Sequence, residues 1–318
     1  MQEFRSAVVD LVEQLIAPIS ARGGGNFASE VADRIQAQVF CWMMGAPVSR
    51  ADELFTLSNT LQGYFNGDPG SLEALASSAQ AMNSFADDMI ALKRVMPADD
   101  LMSILVSASD EGIIEPEDLR AITQELLTAS SDTTALSACR VIAQLASRPS
   151  DWARLRSDPT LIPAAIEECL RFDTILDVDI HSSKVPTVIQ GVDIPGGTIA
   201  WLGLLAANYD PAVYNEPKKF DITRQHARPQ LNFGRGRHFC IGAALARMEL
   251  EALVSVLTQA WQRIELEGAP AGPLARGTAI RPLPIAVKPE KQISQVASAV
   301  NPQGVPGGYG GRRKLETG

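Results

Sequence analysis

The sequence predicts a mostly α-helical protein with a small β portion, and two patterns support that class. Apolar residues recur at helical spacing through the first two-thirds of the chain. Between Asp179 and Leu202, turn residues instead alternate with β-branched residues, which is typical of short strands. Another helix is predicted from Ile241 to Trp261, so the β portion lies between helical regions.

The helices predicted before the strands are separated by turns rich in glycine, proline and asparagine. They are Ser6–Ile19, Ala28–Met44, Ala51–Tyr64, Leu72–Met96, Asp99–Ser109, and a long helix that opens at Glu115-Pro116-Glu117-Asp118 and continues to Ala146. Residues 206–232 look irregular. We therefore expect one domain over residues 1–289, followed by a disordered tail over residues 290–318 that is rich in glycine, proline and basic residues.

Composition indicates a globular protein with a substantial core, since 46% of the 318 residues are hydrophobic and 20% are charged. The chain has no apolar run of about 18 residues, which a membrane helix needs, and its N-terminus does not resemble a secretion signal. The four cysteines do not suggest a disulfide framework. These features predict a cytoplasmic protein in which Cys41, Cys139 and Cys169 are buried thiols.

A formal net charge of −9 argues against a general nucleic-acid binder. Arginines are nevertheless dense near one segment, at positions Arg224, Arg228, Arg235, Arg237 and Arg247. Two interpretations stay open for this group. It is either an ordinary solvated face or a docking patch for an acidic electron-donor protein, where complementary charge would steer association.

The most informative segment runs from Phe233 to Gly242 and reads Phe-Gly-Arg-Gly-Arg-His-Phe-Cys-Ile-Gly. It sets Cys240 between a glycine-rich loop and the first turn of a helix, where unpaired N–H groups and the helix dipole stabilise a thiolate. Glycines let a backbone pass close to a large flat group, and His238 and the arginines suit its acidic edge. This pattern suits a cysteine that ligates haem iron, because an axial thiolate favours O–O cleavage.

Three other interpretations of the loop are weaker. A phosphate-binding loop would have Lys-Ser or Lys-Thr after its last glycine, and Gly242 is followed by Ala243 and Ala244. A zinc site would need further cysteine or histidine at ligand spacing, and the chain has no Cys-x-x-Cys pair. A buried structural cysteine is the usual interpretation of an isolated cysteine, but it does not explain the rest of the motif.

The loop resembles the haem-binding loop of the cytochrome P450 family, Phe-Gly-x-Gly-x-His-x-Cys-x-Gly, at every defined position. The resemblance implies the P450 fold, with Cys240 as the axial ligand of the iron of haem b. It also implies that His238 contacts a haem propionate and that Phe233 shields the sulfur. The other cofactor-binding positions that it implies are Gly234, Arg235 and Gly242.

A second segment, residues 129–134, places Ala-Ser-Ser-Asp-Thr-Thr in the middle of the long predicted helix. Small hydroxylated residues compete for backbone hydrogen bonds, so the segment is either a solvated or bent helix face or an acid–alcohol pair for proton delivery. It resembles the P450 oxygen-activation motif. That implies catalytic roles for Thr133, beside bound dioxygen, and Asp132, which passes on protons. Ser130 replaces the usual glycine, and either crowds the oxygen site or adds a hydrogen bond.

Glu168 and Arg171 lie at i,i+3 on one helix face and resemble the structural Glu-x-x-Arg pair of the same family. The third member of that network is normally an arginine. In this sequence Lys219 is aligned with it, which predicts a weaker network because lysine lacks the planar fork. His181 is aligned with an arginine of the family that pairs with a haem propionate, and an ordinary histidine at the end of a strand is the alternative.

The family builds its substrate pocket from two segments, which correspond here to Glu125, Thr128 and Ala129 and to the loop around Val178. Asp177 and Asp179 lie in the second segment and are unusually acidic for a pocket that normally binds apolar ligands. The alternative is that these two side chains face solvent instead of the pocket.

The resemblance covers the chain up to about Lys288 but not the N-terminal portion of the family. A late start of the gene model, a truncated form, or another chain that supplies the missing part would each explain this. The implied function is a haem-thiolate monooxygenase that inserts one oxygen atom from O2 into a small organic substrate. Its electrons would come from a ferredoxin or flavoprotein, with NAD(P)H used only indirectly. The alternative is a truncated, catalytically degenerate protein that binds or recruits partners without oxidation.

Overall fold

Helices dominate the computed structural model, which describes residues 2–65, 72–225, 230–268 and 282–290. The α-helices in these ranges are α1 Gln2–Arg22, α2 Asp33–Met44, α3 Ala51–Phe65, α4 Leu72–Val95, α5 Leu101–Asp110, α6 Pro116–Ser131, α7 Thr133–Ala146, α8 Pro149–Ser157, α9 Ile162–Phe172, α10 Leu204–Asn208 and α11 Ala243–Ala260. A π-helical segment, Ala28–Ala32, leads into α2. The mostly α class that the sequence predicts is confirmed.

Within the described ranges, the strands form three small antiparallel sheets. The first has the order β1-β7-β6, and the others pair β2 with β5 and β3 with β4; the bounds are β1 Gly24–Asn26, β2 Asp179–Ser182, β3 Thr187–Ile189, β4 Val192–Ile194, β5 Ile199–Leu202, β6 Trp261–Leu266 and β7 Pro284–Pro289. The strands predicted between positions 179 and 202 are therefore confirmed. The first sheet was not predicted, because β1 reads Gly-Gly-Asn and β6 continues directly from a helix.

Two apolar clusters make up the core. The larger joins α1, α7, α8, α9 and α11 to the β1-β7-β6 sheet, and the smaller joins α3, α4, α5 and α6. Helix α2 belongs to both, since Ile35 and Val39 face the larger cluster while Phe40 and Met44 face the smaller. Burial of α2 on both faces therefore holds the two parts together.

Local sequence explains several helix ends. Helix α5 begins after Asp100, whose Oδ1 accepts a hydrogen bond from Ser103 N at 2.8 Å. Helix α2 ends at Gly45, whose φ of 62° is easily adopted by glycine alone. Helix α6 begins with Pro116, as predicted, because a proline in the first turn costs no backbone hydrogen bond.

The prediction of one continuous helix to Ala146 is wrong at a single point. Helix α6 ends at Ser131 and α7 begins at Thr133, with Asp132 between them at φ −105° and ψ −40°. Hydroxyl groups around the break turn back onto the helix: Ser131 Oγ donates to Thr128 O at 3.3 Å and Thr133 Oγ1 to Ala129 O at 2.9 Å. Such back-bonding bends helices.

Cys41, Cys139 and Cys169 are buried, as predicted. Burial raises the pKa of the Cys41 thiol to about 12 and also raises that of Cys169. Within the described ranges, every helix is too short or too polar to cross a membrane. The predicted tail lies outside the described residues, apart from Glu290.

Candidate active site

Cys240 lies at the end of the glycine-rich loop, just before α11. Its backbone N–H donates to Phe233 O at 2.9 Å, and its carbonyl accepts from Ala243 N at 3.2 Å. Helix α11 itself packs against α1, α7, α8 and α9. The cysteine is thus held at the start of a buried, rigid helix, although it is itself exposed, unlike the other three cysteines.

Phe233 anchors the other end of this loop. Its ring packs against the larger apolar cluster, and the Arg247 guanidinium lies 4.3 Å from the ring centroid. Arg247 is held in turn by Glu167, whose Oε1 accepts from Nε at 2.5 Å. The Phe233 carbonyl also accepts the hydrogen bond from Cys240 N. This bond closes the loop whose two ends carry the aromatic ring and the thiol.

The surroundings of Cys240 fit a large, flat, apolar group. A Cβ added at Gly242 would meet one heavy atom of the described residues within 4 Å outside its chain neighbours, Cys240 Sγ at 3.8 Å, so the glycine lies open beside the thiol. Phe239 and Ile241 flank the thiol and are 47% and 93% exposed. Two apolar side chains are thus exposed next to the thiol in the sequence. A haem with Cys240 as its thiolate ligand suits this donor and this lining.

The tip of the loop carries cationic and titratable groups suited to an anionic edge. Gly234 and Gly236 adopt φ values of 68° and 73°, which produce the sharp turn. The turn exposes Arg235, Arg237 and His238. The His238 ring makes no hydrogen bond with any residue that the structure describes. It is therefore available to a propionate, as predicted, and this role remains a prediction.

Asp132 and Thr133 lie at the break between α6 and α7. Asp132 is buried, whereas Thr133 is half-buried and donates its hydroxyl hydrogen to Ala129 O. Thr133 therefore keeps its oxygen lone pairs for another donor, which is the property a proton-relay alcohol needs.

Ser130, which replaces the usual glycine, bonds back to its own helix. Its Oγ donates to Leu127 O at 3.3 Å, one turn earlier. Its effect on the oxygen site remains a prediction.

The structural pair Glu168 and Arg171 is fully buried and bidentate, with Nε–Oε2 and Nη2–Oε1 distances of 2.7 and 2.9 Å. The prediction that Lys219 completes this network is wrong. Lys219 is exposed and lies 3.8 Å from Glu216. Arg224 occupies the third position instead, since its Nε donates to Glu168 Oε2 at 3.0 Å.

The sequence itself contains a signal that favours Arg224 over Lys219. Arg224 follows Phe220 by four residues, and the guanidinium has the planar fork that a buried carboxylate network favours. That fork also donates to the carbonyls of Asn215 and Lys219, at 2.6 and 2.7 Å. The network therefore keeps its full set of arginines, and the predicted weakening does not follow.

His181 lies in β2, exposed, with Nε2 2.9 Å from Asp179 Oδ2 on the same strand. The two side chains share a face because they are two residues apart. The Asp179 carboxylate therefore already occupies one ring nitrogen of His181, and the propionate contact remains a prediction.

Two of the four predicted pocket residues, Glu125 and Thr128, border one cavity of about 280 Å³. Its other lining residues belong to α3, α4 and α6: Leu61, Ala79, Met82, Asn83, Ala121 and Gln124. Ala129, the next residue on α6, and Val178, in the loop before β2, are exposed. The role of all four residues in substrate binding remains a prediction.

Asn232 was missed by the sequence analysis. Its Oδ1 accepts from Thr174 Oγ1 at 2.5 Å and from Ile175 N at 3.0 Å. These bonds join the loop after α9 to the residue that precedes Phe233, so they position the cysteine loop relative to the predicted pocket loop. An isolated asparagine gives no sequence signal for such a tertiary contact.

The arginine-rich group divides into different environments. Arg224 and Arg247 are engaged with Glu168 and Glu167. Arg228 lies outside the described residues, while Arg235 and Arg237 are exposed. Of the described members, only these last two are candidates for a docking surface.

Comparison with known proteins agrees with this site. The family model described as Cytochrome P450 matches residues 53–271. Cytochrome P450 107B1 from Saccharopolyspora erythraea is 32% identical over 272 residues, which cover 85% of this chain and 66% of the relative. Vitamin D(3) 25-hydroxylase from Pseudonocardia autotrophica is 32% identical over 252 residues, 78% of this chain and 61% of the relative. The chain thus spans about two-thirds of the length of these relatives.

Solved structures support the same assignment. The P450 enzyme CxnD, described as acting in C–S bond formation in chuangxinmycin biosynthesis, has a TM-score of 0.80 and 31% identity, with 91% of this chain and 72% of that chain covered. P450BioI, solved in complex with an acyl carrier protein ligated to hexadec-9Z-enoic acid, has a TM-score of 0.80 and 26% identity, with 90% and 75% covered.

The fold and the cysteine loop define a helical haem-thiolate class of protein. The chain belongs to the cytochrome P450 family. Two relatives in this family are named as monooxygenases: luteothin monooxygenase from Streptomyces thioluteus and steroid C26-monooxygenase from Mycobacterium tuberculosis.

Proposed function

We propose that this protein is a haem-thiolate monooxygenase that inserts one oxygen atom from O2 into a small organic molecule. The observation that carries the proposal is Cys240, an exposed cysteine just before a buried helix, next to an uncrowded glycine and between two exposed apolar residues in the sequence. The names of relatives, such as luteothin monooxygenase from Streptomyces thioluteus, support the reaction class.

The chemistry that a bound haem supplies here is reductive activation of dioxygen, with one oxygen atom going to the substrate and the other to water. Cys240 would hold the iron through its thiolate, and Phe233 would exclude water from the far side of the sulfur. The hydrogen bond from Cys240 N to Phe233 O keeps the thiol at the loop end. The loop therefore orients the ligand before any cofactor binds.

Proton delivery falls to the residues at the α6–α7 break. Thr133 Oγ1 donates to Ala129 O, which orients the hydroxyl and leaves its lone pairs to accept a proton. Asp132, the neighbouring buried carboxyl group, would give a proton to that hydroxyl while Thr133 passes its own proton into the site.

The proposed reaction needs electrons and a substrate, and both must be supplied by other molecules. We assign the electron supply to a separate ferredoxin or flavoprotein, with NAD(P)H as the indirect source. Exposed Arg235 and Arg237 beside the cysteine loop support an acidic partner. The same proposal places the protein in the cytoplasm, where thiols stay reduced.

The reduced carbon-monoxide difference spectrum of the haem-reconstituted chain tests the proposal. We expect the red-shifted Soret band of thiolate ligation in the wild type and in Cys41→Ala, whose thiol is buried. Cys240→Ala should lose the band. Failure of the wild type to take up haem, or a band that survives in Cys240→Ala, contradicts the proposed function.

A further inference from the structure

Helices α3 and α6 each carry a serine on the face that they turn towards the core. The buried positions of α6 recur at intervals of four residues: Leu119, Thr123, Leu127 and Ser131. On α3, Ser58 follows the buried Leu54 by four residues. Residues four apart share one face of a helix, so both serines continue stripes that face the interior.

Both serine hydroxyl groups are closed off from solvent. Ser58 is 0% exposed and Ser131 is 2% exposed. Their Oγ atoms are hydrogen-bonded to each other across 73 residues of sequence, which joins α3 to the end of α6. The Ser58 hydroxyl makes no other hydrogen bond with the residues that the structure describes. Since a buried polar group without a partner is costly, the burial of Ser58 depends on Ser131.

The direction of this bond follows from the other partner of Ser131. Ser131 Oγ donates its one hydrogen to Thr128 O at 3.3 Å, so the hydrogen between the two serines comes from Ser58. Two other hydroxyl groups of α3 behave differently, because Thr56 and Thr60 each donate to the carbonyl four residues earlier, at 2.8 and 3.0 Å. Unlike them, Ser58 donates to another helix.

The bond between the serines lies beside the break that carries the acid–alcohol pair. Ser131 is the last residue of α6, and Asp132 and Thr133 follow it directly. A catalytic group keeps its geometry when the residues around it are held by packing and by further hydrogen bonds. The bond from Ser58 gives the break such support from a second helix.

Helix α3 also borders the candidate substrate cavity. Leu61, one turn after Ser58, lines the cavity of about 280 Å³ together with Glu125 and Thr128 of α6. The same helix therefore contacts both this cavity and the end of α6. The bond consequently fixes the break relative to the cavity.

We propose that Ser58 is a positioning residue for proton delivery. Its hydrogen bond to Ser131 anchors the α6–α7 break to α3, and so holds Asp132 and Thr133 in a fixed place relative to the candidate substrate cavity. This inference rests on the proposed function, in which those two residues deliver protons. The alternative is a bond that only stabilises the helix pair. Its loss would lower the free energy of unfolding but would not change the products of oxygen reduction.

Amide hydrogen exchange in the purified full chain tests the anchor without turnover. The reporter is the Leu136 amide, which donates to Asp132 O at 2.8 Å across the start of α7. Ser58→Ala should speed its exchange about tenfold, because the loss of one hydrogen bond lets the break open locally. The Thr123 amide, in the middle of α6, should change much less. Equal acceleration of both amides would show a general loss of stability and would overturn the proposal, as would an unchanged Leu136 amide.

Two further variants make the exchange experiment specific to the bond. Ser131→Ala should act like Ser58→Ala, and the double variant should act like either one, because all three lack the same bond. Additive effects in the double variant would contradict a shared bond. The matched control is Thr56→Ala, which removes an exposed hydroxyl from the same helix and should leave the Leu136 amide unchanged.

The products of oxygen reduction test the role in proton delivery. With a surrogate ferredoxin and its reductase, Ser58→Ala should raise the hydrogen peroxide formed per NADPH oxidised about twofold, since a displaced acid–alcohol pair delivers protons less well. Adding Ser58→Ala to Thr133→Ala should cause no further rise, because Ser58 acts through that pair. Thr56→Ala should keep the wild-type ratio.

The outcomes separate this inference from the proposed function. A wild-type peroxide ratio in Ser58→Ala, in a protein that binds haem through Cys240, overturns the positioning role and leaves the monooxygenase proposal intact. If the chain takes up no haem, the proposed function fails, and the exchange of the Leu136 amide still decides whether Ser58 anchors the break.

Discussion

Arg224 Nε donates a hydrogen bond to Glu168 Oε2 at 3.0 Å, across 56 residues of sequence. Glu168 also accepts hydrogen bonds from Nε and Nη2 of Arg171, and from Asp221 N at 2.9 Å. One fully buried carboxylate thus ties α9 to the irregular segment before the cysteine loop. This pairing holds the segments that position Cys240.

Replacement of Arg224 should therefore destabilise the protein. We expect Arg224→Ala to lower the free energy of unfolding by about 2–3 kcal/mol, since a hydrogen bond to a charged group contributes about 1.5–3 kcal/mol. Urea denaturation followed by circular dichroism measures the change. Lys219→Ala is the matched control and should shift the midpoint little, because Lys219 is exposed. An equal loss in both variants would show that Arg224 is not the third member of the network.

Thr133 should control the fate of activated oxygen. Thr133→Ala removes the hydroxyl that donates to Ala129 O and carries protons in the proposed mechanism, so more of the reducing equivalents should end as hydrogen peroxide. The measurement is peroxide formed per NADPH oxidised, with a surrogate ferredoxin and its reductase. Thr133→Ser keeps the hydroxyl and should stay close to the wild type. A wild-type ratio in Thr133→Ala removes the proton-delivery role.

The accessibility of the cysteines can be counted in the haem-free protein. A thiol-reactive chromogenic reagent should modify one thiol rapidly, because Cys240 is exposed and the other three are buried. The Cys240→Ala variant should show no rapid phase. All four thiols should react in the unfolded wild type. More than one rapid thiol in the native wild type would contradict the burial of Cys41, Cys139 and Cys169.

Glu249 should make stability depend on pH. Burial among uncharged side chains raises its pKa to about 8 in the folded protein from an ordinary value of 4.5, so the folded state retains a proton that the unfolded state releases. The part of the free energy of unfolding that comes from this proton is fully present below pH 4.5 and is lost as pH rises towards and through 8. The expected slope for one proton is about 1.4 kcal/mol per pH unit.

Denaturation midpoints measured across this range check the slope. Glu249→Gln cannot titrate and should be less sensitive to pH than the wild type. Glu251→Gln should keep the wild-type slope, because its side chain is partly exposed. Identical slopes in the wild type and in Glu249→Gln would mean that Glu249 is not the titrating group.

Local patterns were sufficient for much of the molecule. Most helices and the strands between positions 179 and 202 follow from periodicity and turn residues. The break at Asp132 was missed, because hydroxyl groups that bond back to the helix do not disturb the apolar period. The β1-β7-β6 sheet was missed because its partners are distant in sequence, and Gly24 pairs with Ala286.

By itself, the sequence determined the family resemblance and the identity of the candidate ligand, because the residues around Cys240 are contiguous and their chemistry is local. Only the tertiary structure decided three other features. They are the choice of Arg224 over Lys219, the hydrogen bonds that Asn232 accepts, and the uncharged surroundings of Glu249. Each depends on which side chains meet across tens or hundreds of residues. Burial and hydrogen-bond partners of that kind arise from packing, and no spacing along the chain encodes them.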